Sequence, residues 1–471
     1  LTEPAGAAGE PAVAEGAPVP PEIFKAYDIR GLHGSQMDGE TAYLVGRGFA
    51  RVLAELRGKP AAELRVGLGR DMRLTAPEMA ARLAEGLVAE GVSVLDAGEV
   101  ATEMLYFLVG SEELDGGAMV TASHNPKPYT GVKLVREGAL ALSGDAGIQD
   151  VRRTIEAGLP EPPGGGAIEP VEVGDAFRAR ALELVDTAAV GGLRVLADGG
   201  NGMAGPMIGP LLEALDLDLI TTYWLPDGNF PDREPNPLLE QNRRFIVERV
   251  REERADLAIA WDGDADRCFF VDSEGEFCDG DFICALLAQI LLEKSPGATI
   301  LYDPRSSRAV PDTVAALGGR AELSRVGHAF FKLRMREEQA VFGGEVSGHY
   351  YFKDFYCADS GTLPALLMLE LLSREQRSLH ELMAGFRSRY FISGEINSEV
   401  NDPAARVAAV EQRYSDGEIG RLDGVSIDYP DWHFNVRPSN TEPLLRLNLE
   451  SLVSRQHMEA KRDEVLAVIR R

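Results

Sequence analysis

The chain has 471 residues, with 48 Lys and Arg against 75 Asp and Glu and a formal net charge of −27. Such a surface repels phosphate backbones and anionic headgroups, which excludes a general nucleic-acid or membrane-surface binder. With 45% hydrophobic and 26% charged residues the composition is that of an ordinary globular protein, long enough at roughly 100–200 residues per domain for about three or four cores.

Residues 1–20 are mostly Ala, Gly, Pro and Glu without Lys or Arg, so they lack the basic start and apolar stretch of a secretory signal and are expected to be a disordered tail. Three segments then repeat one pattern, an apolar strand ending in an Asp-containing turn before a helix-period stretch. They are 64–71 before 77–91, 193–198 before 206–215, and 299–303 before 307–317. In the first, Met79, Leu83, Leu87 and Val88 share a helical face while Glu78, Arg82 and Glu85 point elsewhere. Repeats of this kind predict parallel sheets with helices packed against them. The stretch 159–166 (LPEPPGGG) reads as a linker. After Arg374 the order changes to a helix at 379–386, a strand at 390–400, a helix at 403–414, further strands and a closing helix at 455–471. The expected division is a tail over 1–20, α/β units over 21–163, 164–273 and 274–385, and a smaller α+β unit over 386–471. The longest apolar runs, 285–292 and 363–368, fall short of the ~20 residues of a membrane helix. Cys268, Cys278, Cys284 and Cys357 form no C-x-x-C pair and read as reduced, buried thiols of a cytoplasmic protein.

Chemistry concentrates at four turns. In 262–267 (DGDADR), Asp262, Asp264 and Asp266 lie between two apolar runs. Two carboxylates about 4 Å apart repel by roughly 4 kcal/mol at an effective dielectric of about 20, so three converging ones need a cation or must splay into water. Hard oxygen donors in a short loop suit Mg²⁺, which commonly shares its shell with a phosphate. A calcium EF-hand fails on detail: its sixth position would be Arg267 where Gly is needed, and its twelfth Ser273 where a bidentate Glu is needed. In 121–126 (TASHNP), Ser123 ends a strand with Thr121, His124 and Asn125 beside it and Lys133 further on, the setting of an exposed nucleophile or phosphate carrier; alone, such a loop is more often a turn. In 343–349 (GGEVSGH), Glu345 and Ser347 can point the same way and suit a sugar's vicinal hydroxyls, a Gly-rich hairpin being the bland alternative. In 437–443 (RPSNTEP), Arg437 offers a fork and Ser439, Asn440 and Thr441 short donors, which makes a phosphate cradle or an ordinary polar hairpin. Gly200, Gly202 and Gly205 spell G-x-G-x-x-G, but Pro206 follows at once and the strand is not the chain's first, so a tight strand-to-helix turn is the better reading than a nucleotide site.

These loops, in this order and preceded by FKAYDIRG at 24–31, resemble the α-D-phosphohexomutase family, most closely its bacterial phosphomannomutase/phosphoglucomutase branch, over nearly the whole chain. The resemblance implies four domains around a central cleft, three of one mixed α/β topology and a smaller α+β one. It implies that Ser123 carries the phosphoryl group, and that Asp262, Asp264 and Asp266 hold one Mg²⁺ together with an oxygen from phosphorylated Ser123. Glu345 and Ser347 would then grip sugar hydroxyls, and Arg437, Ser439, Asn440 and Thr441 the phosphate not being transferred. Tyr27, Arg30, His124, Lys133, Arg267, His328 and His349 correspond to family positions lining the reaction centre or ligand site.

The implied activity is reversible interconversion of hexose 1- and 6-phosphates, of mannose, glucose or both. It runs through a phosphoserine and a 1,6-bisphosphosugar that turns end for end, with glucose or mannose 1,6-bisphosphate as activator. Partners would be small sugar phosphates, neither nucleic acid nor membrane, for a monomer or weak homodimer in the cytoplasm. Ala265 stands where Gly is commoner, and Thr130 where Asn is frequent. Phosphoglucosamine mutases commonly carry Gly at the position of Asn440, which makes that branch the weaker alternative. A Mg²⁺-dependent sugar phosphatase and a catalytically silent sugar-phosphate sensor are the readings from other classes.

Overall fold

A computed structural model of the chain describes residues 18–143, 147–438 and 444–471, arranged as four units, each built on its own sheet. Three of the sheets share one connectivity. In the first, Arg65–Arg70, Ser93–Glu99 and Gly116–Val120 are parallel and joined by the helices Ala76–Ala89 and Thr102–Ser111, and the chain then turns back into the antiparallel strand Tyr129–Arg136. The second repeats this with Gly191–Asp198, Asp216–Thr222 and Leu257–Trp261, turning back into Cys268–Asp272. The third does so with Thr299–Tyr302, Arg320–Leu323 and Phe342–Gly344, turning back into Tyr350–Phe352.

The physical basis of the repeat is burial. Every residue of Gly116–Val120 and Leu257–Trp261 is buried, as expected of central strands covered on both faces. Met79, Leu83 and Leu87 are buried on the helix Ala76–Ala89 as their spacing predicts, Val88 is half-buried, and Glu78 and Glu85 face solvent. The repeats alone read as parallel sheets; the sheets are mixed, as the family resemblance implies. A parallel crossover needs about a dozen residues, and the loops closing at 121–128, 262–267 and 345–349 are too short, so the chain can only reverse. Gly343 and Gly344 end a strand, where a Cβ would meet Phe331 or Cys284, and 345–349 makes the hairpin reversal into Tyr350–Phe352.

The fourth sheet is wholly antiparallel, with Leu444–Ser451 and Trp432–Pro438 at its centre. Its expected strand over 390–400 is broken into Phe391–Ile392 and Ile396–Glu399 around Gly394, which has a φ of +66°. Residues 1–17 of the expected tail lie outside the described residues. Pro18–Pro20 are placed, and Val19 is fully buried in the first unit's core, where two flanking prolines leave little backbone freedom to lose.

One apolar core runs from Met72 to Tyr390 through the first three units, whereas the fourth has a core of its own. The three are also pinned at a point. Buried Glu103 accepts hydrogen bonds from the amides of Gly361 (3.2 Å) and Thr362 (2.9 Å) and from the Thr362 hydroxyl (2.8 Å). Trp261 Nε1, from the second unit, donates to the Gly361 carbonyl at 2.9 Å. The fourth unit touches that core with Ile392 and Leu452 and docks otherwise through polar contacts: Arg308 donates to Asp428 (3.0 Å) and to the carbonyls of Tyr429 (2.7 Å) and Pro430 (3.0 Å), and the Val326 amide to Asp423 (3.0 Å). Among the described residues no helix is long and apolar enough to cross a membrane, and Cys268, Cys278, Cys284 and Cys357 are buried and unpaired.

Burial lifts the Glu103 carboxyl to about 7 against the pull of its hydrogen bonds. A folded-state value above the unfolded one means that its contribution is whole below the ordinary carboxylate value and is lost as pH rises through about 7, a loss of order 3 kcal/mol. Glu103→Gln keeps an acceptor oxygen, so its unfolding temperature relative to wild type should rise between pH 5 and pH 8.5. A difference that stays constant over that range in thermal melts would contradict the assignment.

Candidate active site

All three repeated units expose a loop at the carboxyl end of their third parallel strand, the place where open α/β sheets present a crevice. The loops 121–128, 262–267 and 345–349 meet there. Ser123 is buried, with a φ of +48°, in the left-handed region. Its amide donates to Thr121 Oγ1 at 2.8 Å, and its hydroxyl donates to Asp262 Oδ2 at 3.0 Å and lies 3.1 Å from His124 Nδ1.

Asp262, Asp264 and Asp266 are each at most 1% exposed, and oxygens of the three lie within 4.8 Å of one another. Their charge is balanced from several elements. Lys133 Nζ donates to Asp264 Oδ2 at 2.7 Å and to Asp266, Arg267 Nε stands 3.4 Å from Asp262 Oδ2, and Thr102 Oγ1 donates to Asp264 at 2.5 Å. Burial, then the charge of Asp264, lifts the Asp262 carboxyl to about 6 and raises Asp266 well above the usual range. Burial would raise Asp264 too, but Lys133 and Thr102 hold it well below its ordinary value. Burial would weaken the Lys133 ammonium, and Asp264 and Asp266 more than offset that. Asp264 Oδ1 and Asp266 Oδ1 are buried without a hydrogen-bond donor, and the set offers only hard oxygens, so it fits a divalent cation of the Mg²⁺ type. Ala265 carries its methyl at a φ of +60°, where glycine sits without cost.

The third loop adds Glu345, Ser347 and His349. Glu345 accepts from the Gly327 amide (2.7 Å) and the Tyr351 hydroxyl (2.7 Å), and Arg305 Nη2 lies 3.6 Å away. His349 reaches both Glu345 (3.5 Å) and Asp266 (3.7 Å), and its Nδ1 is 3.3 Å from Ser347 Oγ. The site imidazoles are neutral: burial and then Arg267 push His124 and His349 well below their usual value, and burial and then Lys332 bring His328 to about 4. Arg267 Nη2 contacts His124 Nδ1 at 2.5 Å, and Arg30 Nη1 donates to Asn125 Oδ1 at 2.6 Å. Tyr27 packs edge-on against His328 and donates to the Val326 carbonyl at 3.0 Å. Arg437 is buried and bonded to Glu395 at 3.3 Å, a carboxylate shared with Arg446 (3.2 Å) and Arg305 (3.9 Å). Ser439, Asn440 and Thr441 lie outside the described residues.

Several side chains at the site escape sequence reasoning. Thr102, on the first unit, holds Asp264 of the second by its amide (3.1 Å to the Asp264 carbonyl) as well as by its hydroxyl. Fully buried Lys332 lies 2.7 Å from Asp359 and over the Tyr106 ring at 3.5 Å, with Asp359 itself beside Asp266 and His349. Arg73 and Arg305 each follow a strand-end Asp by two residues, a D-x-R pattern that was a readable signal.

Family profiles of phosphoglucomutase/phosphomannomutase match all four units: alpha/beta/alpha domain I at 21–159, domain II at 175–275, domain III at 279–390 and the C-terminal domain at 395–468. A phosphomannomutase of Salmonella montevideo is 43% identical over 456 residues, which cover 95% of this chain and 98% of that one. The phosphohexose mutases of Xanthomonas campestris pv. campestris (strain B100) are 41% identical over 450 residues, with 95% and 99% covered. A crystal structure of a phosphoglucomutase/phosphomannomutase family protein from Burkholderia thailandensis superposes with a TM-score of 0.86 at 31% identity, covering 96% of this chain and 97% of that one. Fold and sequence together define a mutase, an enzyme of the isomerase class. The chain belongs to the phosphoglucomutase/phosphomannomutase family.

The glycines at 200, 202 and 205 serve close packing. A Cβ on Gly202 would stand 2.6 Å from the Gly263 carbonyl oxygen, inside the triad loop's backbone. Gly202→Ala should therefore destabilise the protein by about 2 kcal/mol, read as a lower urea midpoint at unchanged m; an unshifted midpoint would show that the loop yields freely.

Proposed function

We propose that this mutase interconverts hexose 1-phosphate and hexose 6-phosphate, of mannose, glucose or both, by way of a phosphoryl group carried on Ser123. The observation that carries the reading is the Ser123 hydroxyl at 3.0 Å from Asp262, in a loop whose three carboxylates are balanced by Lys133 and Arg267. Asp262, Asp264 and Asp266, with an oxygen of the phosphorylated Ser123, would hold Mg²⁺, which when bound supplies charge neutralisation on the transferring group.

Phosphoryl transfer passes through a loose transition state that asks for alignment and charge balance more than covalent chemistry. Lys133 and Arg267 are the chain's own cations for that charge. The sugar hydroxyl attacks phosphorus, the Ser123 oxygen leaves, and the hydroxyl proton passes to a neutral imidazole, His328 or His349; of the other two candidates, Lys133 is held as an ammonium by Asp264 and Asp266 and the Arg30 guanidinium has no lone pair to offer. The resulting 1,6-bisphosphosugar turns end for end and returns its other phosphate to Ser123. Glu345 and Ser347 suit the 3- and 4-hydroxyls, which stay near the centre when the hexose turns. The Glu345 carboxylate, fixed by Gly327 and Tyr351, is then a rigid acceptor that does not read carbon 2, where glucose and mannose differ. Arg437, with Ser439, Asn440 and Thr441, would take the phosphate not in transfer, as a fork suits a phosphate.

A coupled assay on mannose 1-phosphate and glucose 1-phosphate, with a trace of 1,6-bisphosphate, should show the 6-phosphate formed without release of inorganic phosphate. Ser123→Ala should lower kcat by at least about 10³-fold with the fold intact. Phosphate released in step with substrate loss would mark a hydrolase instead, and preference for glucosamine 1-phosphate the neighbouring branch.

Asp262, at about 6, and Asp266, which burial and the charge of Asp264 raise well above the ordinary carboxylate range, must lose protons before a cation can be held. Mg²⁺ affinity should fall as pH drops through about 6, and titration calorimetry in buffers of different ionisation heat should show protons released on binding. A pH-independent affinity would place the cation elsewhere.

A further inference from the structure

Ser123 holds a left-handed backbone, with a φ of +48°, at the residue whose hydroxyl meets the triad. An L-residue stays in such a conformation only where its surroundings over-determine it. What fixes this loop is Arg73, only 3% exposed, on the loop after Arg65–Arg70. Its Nη2 donates to the carbonyls of Ser123 (2.7 Å) and Asn125 (2.7 Å), and its Nη1 to those of Pro126 (3.2 Å) and Tyr129 (3.3 Å). One guanidinium thus gathers four backbone carbonyls of the 121–129 segment.

The guanidinium is itself held in place. The Arg73 amide donates to Asp71 Oδ1 at 3.0 Å, Arg73 Nε faces Asp71 Oδ2 at 3.4 Å, and the ring of Phe230, from the second unit, covers the guanidinium at 5.2 Å. The device recurs at the same place in the other repeats. Asp303 accepts from the Arg305 amide (2.8 Å) and pairs with its guanidinium (2.8 Å), which extends to Glu345 at 3.6 Å in the closing loop of the third unit. In the second unit Asp198 accepts from the Gly200 amide (2.9 Å) and pairs with Arg233 (2.9 Å). A buried carboxylate at the end of the first parallel strand anchors an arginine each time, and in the first and third units that arginine reaches the loop closing the third strand.

We propose that Arg73 is the positioning residue of the phosphate-carrying loop, drawing its carbonyls onto a buried cation and so fixing the Ser123 hydroxyl against the triad. Carbonyl oxygens are the negative ends of peptide dipoles, and a phosphoryl dianion on Ser123 is best served when a guanidinium claims them. This rests on Ser123 being the carrier. Lysine cannot replace the device, because a point charge does not present the fork that spans four acceptors.

The test compares Arg73→Lys, Arg73→Ala and the charge-neutral pair Asp71→Asn with Arg73→Met, which avoids leaving a lone buried carboxylate. Circular dichroism and thermal melts report folding. Kinetics give kcat and KM, and ³²P-labelled glucose 1,6-bisphosphate gives the occupancy of Ser123 and the rate of label loss to water. In the folded variants kcat should fall about 10²-fold, as for a misplacement near 1 Å, with KM changed less than about threefold and label lost to water faster. Added guanidinium should restore part of the kcat of Arg73→Ala and none to wild type. Wild-type kcat and label lifetime in a folded variant would overturn the proposal, as would activity lost only in step with melting temperature and without rescue. A wild-type enzyme that turns over without ever taking label overturns the carrier itself, and so is told apart from failure of Arg73.

Discussion

Three carboxylates brought within 4.8 Å of one another and almost wholly out of water repel too strongly to stand without positive charge. Lys133 from the first unit's antiparallel strand and Arg267 at the end of the triad's own turn meet that condition, and the Thr102 hydroxyl, from the first unit's helix, adds a neutral hydrogen bond to Asp264. The acidic loop therefore does more than wait for a cation. It couples two units electrostatically, so that the Ser123 hydroxyl and the triad are referenced to one another before any ligand arrives.

The placing of these groups follows from one connectivity used three times. A parallel strand too closely followed by the next must reverse, and the reversal exposes a short loop at the same edge of each sheet. Small residues let the loops nest: a Cβ on Gly263 would stand 2.6 Å from the Ser123 carbonyl oxygen. Backbone lies on backbone there, which leaves the Ser123 and Asp262 segments little room to shift against one another.

Much of this was readable in the residues. The strand, Asp-turn and helix repeats stand out because burial imposes a period and an Asp at a strand end caps its own turn, as Asp71, Asp198 and Asp303 all do. The triad was readable because its members are neighbours in sequence. Thr102, Glu103, Lys332 and Asp359 were not, since each acts on a partner far along the chain, 162 residues for Thr102 and Asp264, and a single residue of those types carries no local pattern. The mixed character of the sheets came from the family resemblance and not from the repeats themselves, because periodicity reports the faces of a strand and says nothing of its direction.

The contrast between a shared apolar interior and a polar joint has a mechanical meaning. Prising any of the first three units apart would wet hydrocarbon over a long seam, whereas the contacts of Arg308 and Asp423 can be exchanged for water at small net cost. The joint of the fourth unit is therefore the least costly of the seams to open. Water entering there would leave the corner around Ser123, held by Arg73 and by the triad, untouched.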